Sequence, residues 1–401
     1  MSDKQISREQ RRATSLRYVA SLDGLRAIAA LGVVIIHTQS ASNASIGLYI
    51  FTGALAGPLF LLFFSISGFV LYRGWARRHM AMSERQPAAG SLKGSADGGA
   101  DGRTYMYLVR RLLRIYPLYW VVATAALLVS DQTSGHSAMD IIQVYFLLPF
   151  PNLNALTDLG LGIVVWTLLI DIIFYVYVTG HAIAMTKLIK RFRRRYTPFQ
   201  IESAVYIAMI SVVLIASPFV RGPLVALACL PFGMWFAVIE AEQNRLGRRM
   251  AAINGLVDSW WLIPICYAIL GPSLAYLLRD TKTHGEFLTN MFGVQLILTG
   301  AANWMMVVIL FGNPNWPLQR FLTSKAIRVA SLLTYGTYLW HPVVLMLLAQ
   351  NLPDAKLVTN LAITVFGSVL LASITYVLVE KPLANMRIKM RQPEPVSANT
   401  K

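Results

Sequence analysis

Leu22-Asp23-Gly24-Leu25-Arg26 opens a stretch that carries no charge from Ala27 to Ile36 and ends on His37-Thr38. Ten successive apolar or small residues between two basic side chains predict a first membrane-crossing helix. Arg26 and His37 are eleven positions apart, about three turns at 3.6 residues per turn, so both side chains fall on one face. The rise between them is about 16 Å, roughly half of a hydrocarbon core. Ionisable groups at that depth are expensive and point to function. On this pair alone a second reading stands level: an interfacial anchor arginine, and a histidine that hydrogen-bonds a neighbouring helix.

The rest of the chain agrees with a membrane location. Of its 401 residues 56% are hydrophobic and 14% charged, far too apolar for a soluble globule of this length. Apolar runs of roughly 18–25 residues recur throughout. The expected fold is an all-α polytopic membrane protein with about ten transmembrane helices, near 25–41, 55–73, 107–130, 161–186, 200–217, 223–239, 254–277, 288–311, 329–350 and 358–380. Residues 138–150 are too short to span and predict a re-entrant or interfacial segment. The last helix is expected to stop at Glu380-Lys381-Pro382, because proline cannot continue it.

Charge fixes the expected orientation. The net charge is +17, but its distribution argues against a nucleic-acid partner. With ten crossings, the segments on the N-terminal side of the membrane hold 31 of the 36 Lys and Arg residues and the opposite segments four. The positive-inside rule then places both termini, the 77–104 loop and the basic run Lys187–Arg195 in the cytoplasm. Glu84 to Gly102 is rich in Gly, Ala, Ser and Pro and predicts a flexible loop rather than a second domain. Neither Cys229 nor Cys266 has metal-ligand company, and no metal is expected. No cleavable signal peptide is expected at the basic start.

Further motifs stand out in chain order. Phe63-Phe64-Ser65-Ile66-Ser67-Gly68-Phe69 carries small residues that permit close helix approach. Arg110-Arg111-Leu112-Leu113-Arg114-Ile115-Tyr116-Pro117 puts Arg110 and Arg114 on one helical face with Arg111 beside them. Such guanidinium forks suit phosphate groups, and they also serve as plain positive-inside anchors. Asp171 is the one carboxylate of the 161–186 helix, where a buried acid either pairs with a cation or does chemistry. Tyr335 to His341 precedes Pro342 inside the ninth apolar stretch.

In this order and spacing the motifs resemble the integral-membrane acyltransferases of acyltransferase family 3. The resemblance rests on Arg26-x10-His37, the 63–69 run, Arg110 to Pro117, Trp166-Thr167-Leu168 through Phe174-Tyr175, and the Tyr335–His341 block with Glu380-x-Pro382. It implies one membrane acyltransferase domain over 25–382, flanked by an N-terminal segment 1–24 and a tail 383–401. It also implies transfer of an acyl group, usually acetyl from acetyl-CoA, to a hydroxyl of a cell-envelope or secreted glycan such as lipopolysaccharide or a lipid-linked saccharide. The expected location is the bacterial inner membrane. His37 is then the expected general base, with Arg26 and Asp171 completing the catalytic set. Arg110, Arg111, Arg114 and Ser67 are the expected donor-binding residues. Similar proteins usually carry Glu where this chain has Asp171, which shortens the side chain by about 1.5 Å. His341, before Pro342 in a helix, reads first as structural, with a direct catalytic role as the lesser alternative, and Glu380 has no assigned role. A rival reading from another class is a proton-coupled transporter using His37, Asp171 and Arg26 as a relay. The absence of an internal repeat counts against it.

Overall fold

A computed structural model describes residues 19–42, 46–83, 100–130, 137–148, 161–216, 227–247, 250–259, 261 and 284–389. Among these residues there are helices and connecting turns but no strand. In chain order the helices are α1 (Ala20–Ala41), α2 (Ile46–Met80), α3 (Ala100–Val129), α4 (Ala138–Phe146) and α5 (Gly162–Phe192). They continue with α6 (Pro198–Ala216), α7 (Cys229–Leu246), α8 (Ala251–Asp258), α9 (His284–Phe311), α10 (Pro317–Leu322) and α11 (Lys325–Asn351). Last comes α12 (Leu357–Thr375), which runs through a π turn, Tyr376–Glu380, into α13 (Lys381–Lys389). Seven helical stretches among the described residues are long and apolar enough to cross a membrane. The protein is an all-α polytopic membrane protein. The expected crossing near 254–277 lies mostly outside the described residues.

Several helices outrun their expected bounds. α7 continues past residue 239 because its late charges find partners. Arg73 donates to Glu240 twice, Nε to Oε2 at 2.8 Å and Nη2 to Oε1 at 2.5 Å, and Arg77 adds a third bond at 3.1 Å. Arg245 engages Glu242 one turn earlier. α2 and α3 likewise extend into the expected 77–104 loop from both sides; residues 84–99 lie outside the described set.

Pro382 does not end the last helix. The Lys381 N–H bonds to the Tyr376 carbonyl, five residues back instead of four. That widened turn leaves room for the proline ring, which in a regular turn clashes with the carbonyl four residues earlier.

α4 is nine residues long, about 13 Å and too short to span. A capping box between Ser137 and Asp140 starts it, and Leu147 in the left-handed region (φ 49°) ends it. Its last carbonyls, which a helix cannot satisfy itself, are capped from α3. Tyr119 donates to Val144 O, Trp120 Nε1 to Tyr145 O and Tyr116 to Phe146 O.

α2 is the central helix, packed on α1, α5, α7 and α9. Against α7 it comes to backbone contact. A Cβ added at Gly233 would lie 2.0 Å from the Ser65 carbonyl oxygen, and one at Gly68 2.2 Å from that of Leu230. Ser65 then donates to Asn303 of α9 at 2.7 Å. At the end where α2 finishes, a polar cluster, fully buried at Tyr72, His79 and Glu202, joins α2, α5 and α6. His79 Nδ1 meets Glu202 Oε1 at 2.7 Å, Tyr72 donates to Glu202 Oε2 at 2.6 Å, and His79 Nε2 meets Thr186 Oγ1 at 2.9 Å. Paired in this way, the carboxylate and imidazole tolerate a site that neither could occupy alone.

The α2–α7 contact gives a stability test. Gly233→Ala forces a methyl group into the Ser65 carbonyl, and such overpacking typically costs about 1–3 kcal/mol. Thermal unfolding in detergent should show a clear fall in midpoint for this variant. Gly180→Ala, whose Cβ meets nothing within 4 Å, should melt like the parent.

Candidate active site

α1, α2, α3, α5, α11 and the α12–α13 segment enclose a cavity of about 600 Å³. One end is charged: Arg26, Arg111, Arg114 and Arg328 line it together with Asp23, Asp171 and Glu380. The other end is aromatic, with Phe60, Phe63, Phe64 and Tyr338. The order along the helices explains the gradient. Arg328 opens α11 and Tyr338 follows ten residues later, about 15 Å deeper.

Each cation is held differently. Arg26 is paired with Asp23 at 3.3 Å. The Arg111 guanidinium sits over the Tyr107 ring at 5.4 Å and the Tyr175 ring at 5.9 Å, cation–π contacts that orient it without neutralising it. Arg114 and Arg328 are exposed on the cavity's open side. Asp171 projects from α5 into the same space, under the combined field of Arg26, Arg111 and Arg114. Three cations from two other helices thus share the cavity with this acid. The rest of the rim is tied down by Tyr335, whose hydroxyl donates to the Ile115 carbonyl at 2.7 Å.

The expected site residues separate into three groups. Arg26, Asp171, Arg111, Arg114 and Ser67 line the cavity. Within the 63–69 run, Ser65 and Gly68 make the contact with α7 and α9 while Ser67 faces the cavity. Arg110 is not among the lining residues: the cavity takes Arg111 and Arg114, three apart, rather than the i, i+4 pair expected from spacing. His37 also lies outside the lining, in a half-buried position, where its Nδ1 contacts His341 Nε2 at 2.8 Å. The two rings meet edge to edge, nearly coplanar, with centroids 5.1 Å apart. Tyr338 connects the two places. Its side chain lines the cavity, and its ring centre is 5.7 Å from that of His341. Thr167 spends its own hydroxyl hydrogen on the Val164 carbonyl at 2.7 Å, so Tyr338 is the donor in their 2.8 Å bond.

One contributor, Arg328, had no place among the sequence motifs, and another, Glu380, belonged to a motif without a role. Arg328 reads as an ordinary interfacial arginine until α11 is docked beside α1. Glu380 is carried into the wall by the π turn, and π turns occur frequently at functional sites.

The residues present suit a polyanionic ligand with an extended, less polar arm: exposed guanidinium groups at the mouth and an aromatic end at depth. Comparison with known families gives one result that bears on this. The family model described as "Acyltransferase domain" matches residues 19–380. Comparison with curated proteins and with solved structures gave no match.

The lining predicts which arginines bind. Titrating detergent-purified protein with a nucleoside polyphosphate should show Arg114→Ala and Arg111→Ala each weakening binding by about tenfold, the loss of one charge-assisted contact. Arg110→Ala should bind like the parent. Equal losses at all three positions would mean that bulk charge, and not the cavity, sets affinity.

Proposed function

The chain belongs to the acyltransferase-domain family, matched from residue 19 to residue 380, and on that premise we propose that this membrane acyltransferase moves an acyl group, acetyl above all, from acyl-CoA to a hydroxyl of a cell-envelope or secreted glycan. The observation that carries this reading is the gradient of the cavity. Guanidinium groups crowd its open end, and an imidazole pair lies beyond its aromatic end.

Arg114 and Arg328 at the mouth take the phosphates of the donor, and Arg111, fixed between two aromatic rings, adds a third contact. Phe60, Phe63 and Phe64 shelter the thioester arm from water. Ser67 lies between the two ends and offers a hydroxyl to the amide-bearing arm. Asp171 offsets the mutual repulsion of Arg26, Arg111 and Arg114 and holds the charged wall in place. His37 acts as the general base: its imidazole takes the proton of the acceptor hydroxyl as that oxygen bonds to the acyl carbon. The C–S bond then breaks, and the same proton passes to the departing sulfur. The products are the ester and free thiol. Tyr338, which lines the cavity and lies beside His341, marks the side of the cavity nearest the imidazole pair. The basic end faces the cytoplasm of a bacterial inner membrane, where acyl-CoA is found, and the acceptor approaches from the opposite side.

The test is acyl transfer from acetyl-CoA by purified protein, supported by mass spectrometry of envelope glycans. His37→Ala should lower turnover by about 10²–10⁴, the usual contribution of a positioned base, while leaving donor affinity intact. Asp171→Asn should be severely impaired and Asp171→Glu much less so, because only the second keeps a negative charge among the three arginines. A His37→Ala protein that acylates at the parent rate removes the mechanism. A protein that never transfers an acyl group but moves protons in a His37-dependent way is a transporter instead.

A further inference from the structure

Pro342 lies inside α11 and has no backbone N–H, so the carbonyl four residues earlier, that of Tyr338, loses its helical partner. His341 fills the vacancy: its Nδ1 lies 2.7 Å from the Tyr338 carbonyl oxygen. A carbonyl can only accept, so Nδ1 of His341 carries the hydrogen. His341 is completely buried, and its two hydrogen-bond partners, the Tyr338 carbonyl and His37, are not anions. An imidazole in that setting is neutral, because charging it without an anion costs too much. With its one hydrogen on Nδ1, its Nε2 is an acceptor. The 2.8 Å contact to His37 Nδ1 therefore needs a hydrogen on His37 Nδ1. One position remains on the His37 ring: Nε2, with its lone pair free.

We propose that His341, held by the carbonyl that Pro342 releases, is a positioning residue that fixes the tautomer of His37 and leaves His37 Nε2 as the proton-accepting atom. This rests on the reading of His37 as the base given above. When Nε2 takes the acceptor proton, the bond from His37 Nδ1 to His341 Nε2 strengthens, since the donor is now cationic. The positive charge is thus steadied by a neutral neighbour. When Nε2 gives the proton to the departing sulfur, the ring returns to the same tautomer, ready for the next turnover. The rings meet edge to edge and nearly in one plane, 16° between planes, so the Nδ1–Nε2 bond runs along both rings and holds Nε2 of His37 aimed one way.

Four variants and one label test the assignment. With acetyl-CoA as donor and water as acceptor, thiol release reports turnover. His341→Leu fills the space but offers no acceptor, and should lower kcat by about 10–100-fold with KM for acetyl-CoA unchanged, as loss of a partner that orients an imidazole does. His341→Gln restores an acceptor oxygen and should recover most of that loss. Pro342→Ala gives the Tyr338 carbonyl a competing N–H and should lower kcat without altering a side chain near His37. A purely structural His341 would show the reverse order, Leu tolerated and Gln not, and would overturn the proposal, as would a change confined to KM. Diethyl pyrocarbonate, which modifies unprotonated imidazole nitrogen, reads the pair without turnover. In the parent it should modify His37 and spare His341; in His37→Gly, which uncovers His341 Nε2, it should modify His341. Equal modification of both histidines in the parent overturns the tautomer assignment. If the parent neither releases thiol to water nor acylates an acceptor glycan, the acyltransfer reading fails and the labelling pattern alone decides this one.

Discussion

The approach of α2 to α7 is the contact that the rest of the bundle depends on. Gly68 and Gly233 let two backbones meet where any larger residue would collide with a carbonyl. In a setting where lipid competes with side chains for apolar contact, such close packing supplies much of the association. It also sets the rotation of α2. With the Gly68 face pressed on α7, the neighbouring face carrying Phe60, Phe63, Phe64 and Ser67 is turned into the cavity. The far end of α2 is then locked twice, by Arg73 and Arg77 on Glu240 and by Tyr72 and His79 on Glu202. Neither lock touches the cavity, and both keep its longest wall from turning.

A second constraint is the scarcity of water around buried polar groups, which makes every freed carbonyl a site to be filled. Three solutions appear. The end of α4 is capped by two tyrosines and a tryptophan of α3. The gap below Pro342 is filled by an imidazole from within the same helix. At Pro382 the backbone itself adjusts, through an extra residue in one turn. Only the second of these recruits a chemically versatile group, and it is the one that lies against His37.

Much of this was legible in the sequence. The membrane class followed from apolar length, and the first, third and fourth long helices were located from their runs. Asp171 and Arg26 declared themselves through their cost in apolar helices, and both line the cavity. What stayed hidden depended on rotation and on partners far away in the chain. Spacing put Arg110 and Arg114 together, yet the docking of α3 presents Arg111 and Arg114. Helical phase placed Arg26 and His37 on one stripe, but only Arg26 lines the cavity, while His37 lies outside the lining against His341. The sequence also left His37 open to a hydrogen bond across helices, and the partner, His341, is 304 positions away. His79 and Glu202 were invisible for the same reason. A carboxylate near the start of an apolar helix looks interfacial until its partner is known, and here both are fully buried. Pro382 failed as a stop signal because the rule assumes a regular turn before it.

The π turn at Tyr376–Glu380 has a consequence for chain length. Such a turn absorbs one residue more than the α turn it replaces, so the residues beyond it stand where a chain one residue shorter would put its own. Without that absorption, the surplus would swing α13 round by about 100° and carry Ala384 off the cavity wall that it now forms. Length and side-chain identity are therefore separate variables at this end of the bundle. A single-residue deletion inside the turn disturbs α13 less than its sequence position suggests, whereas the same deletion a few turns earlier rotates every later side chain relative to its neighbours. Relatives that differ by one residue here can keep the same wall, and an alignment that forces them into equal length would pair Glu380 with the wrong residue.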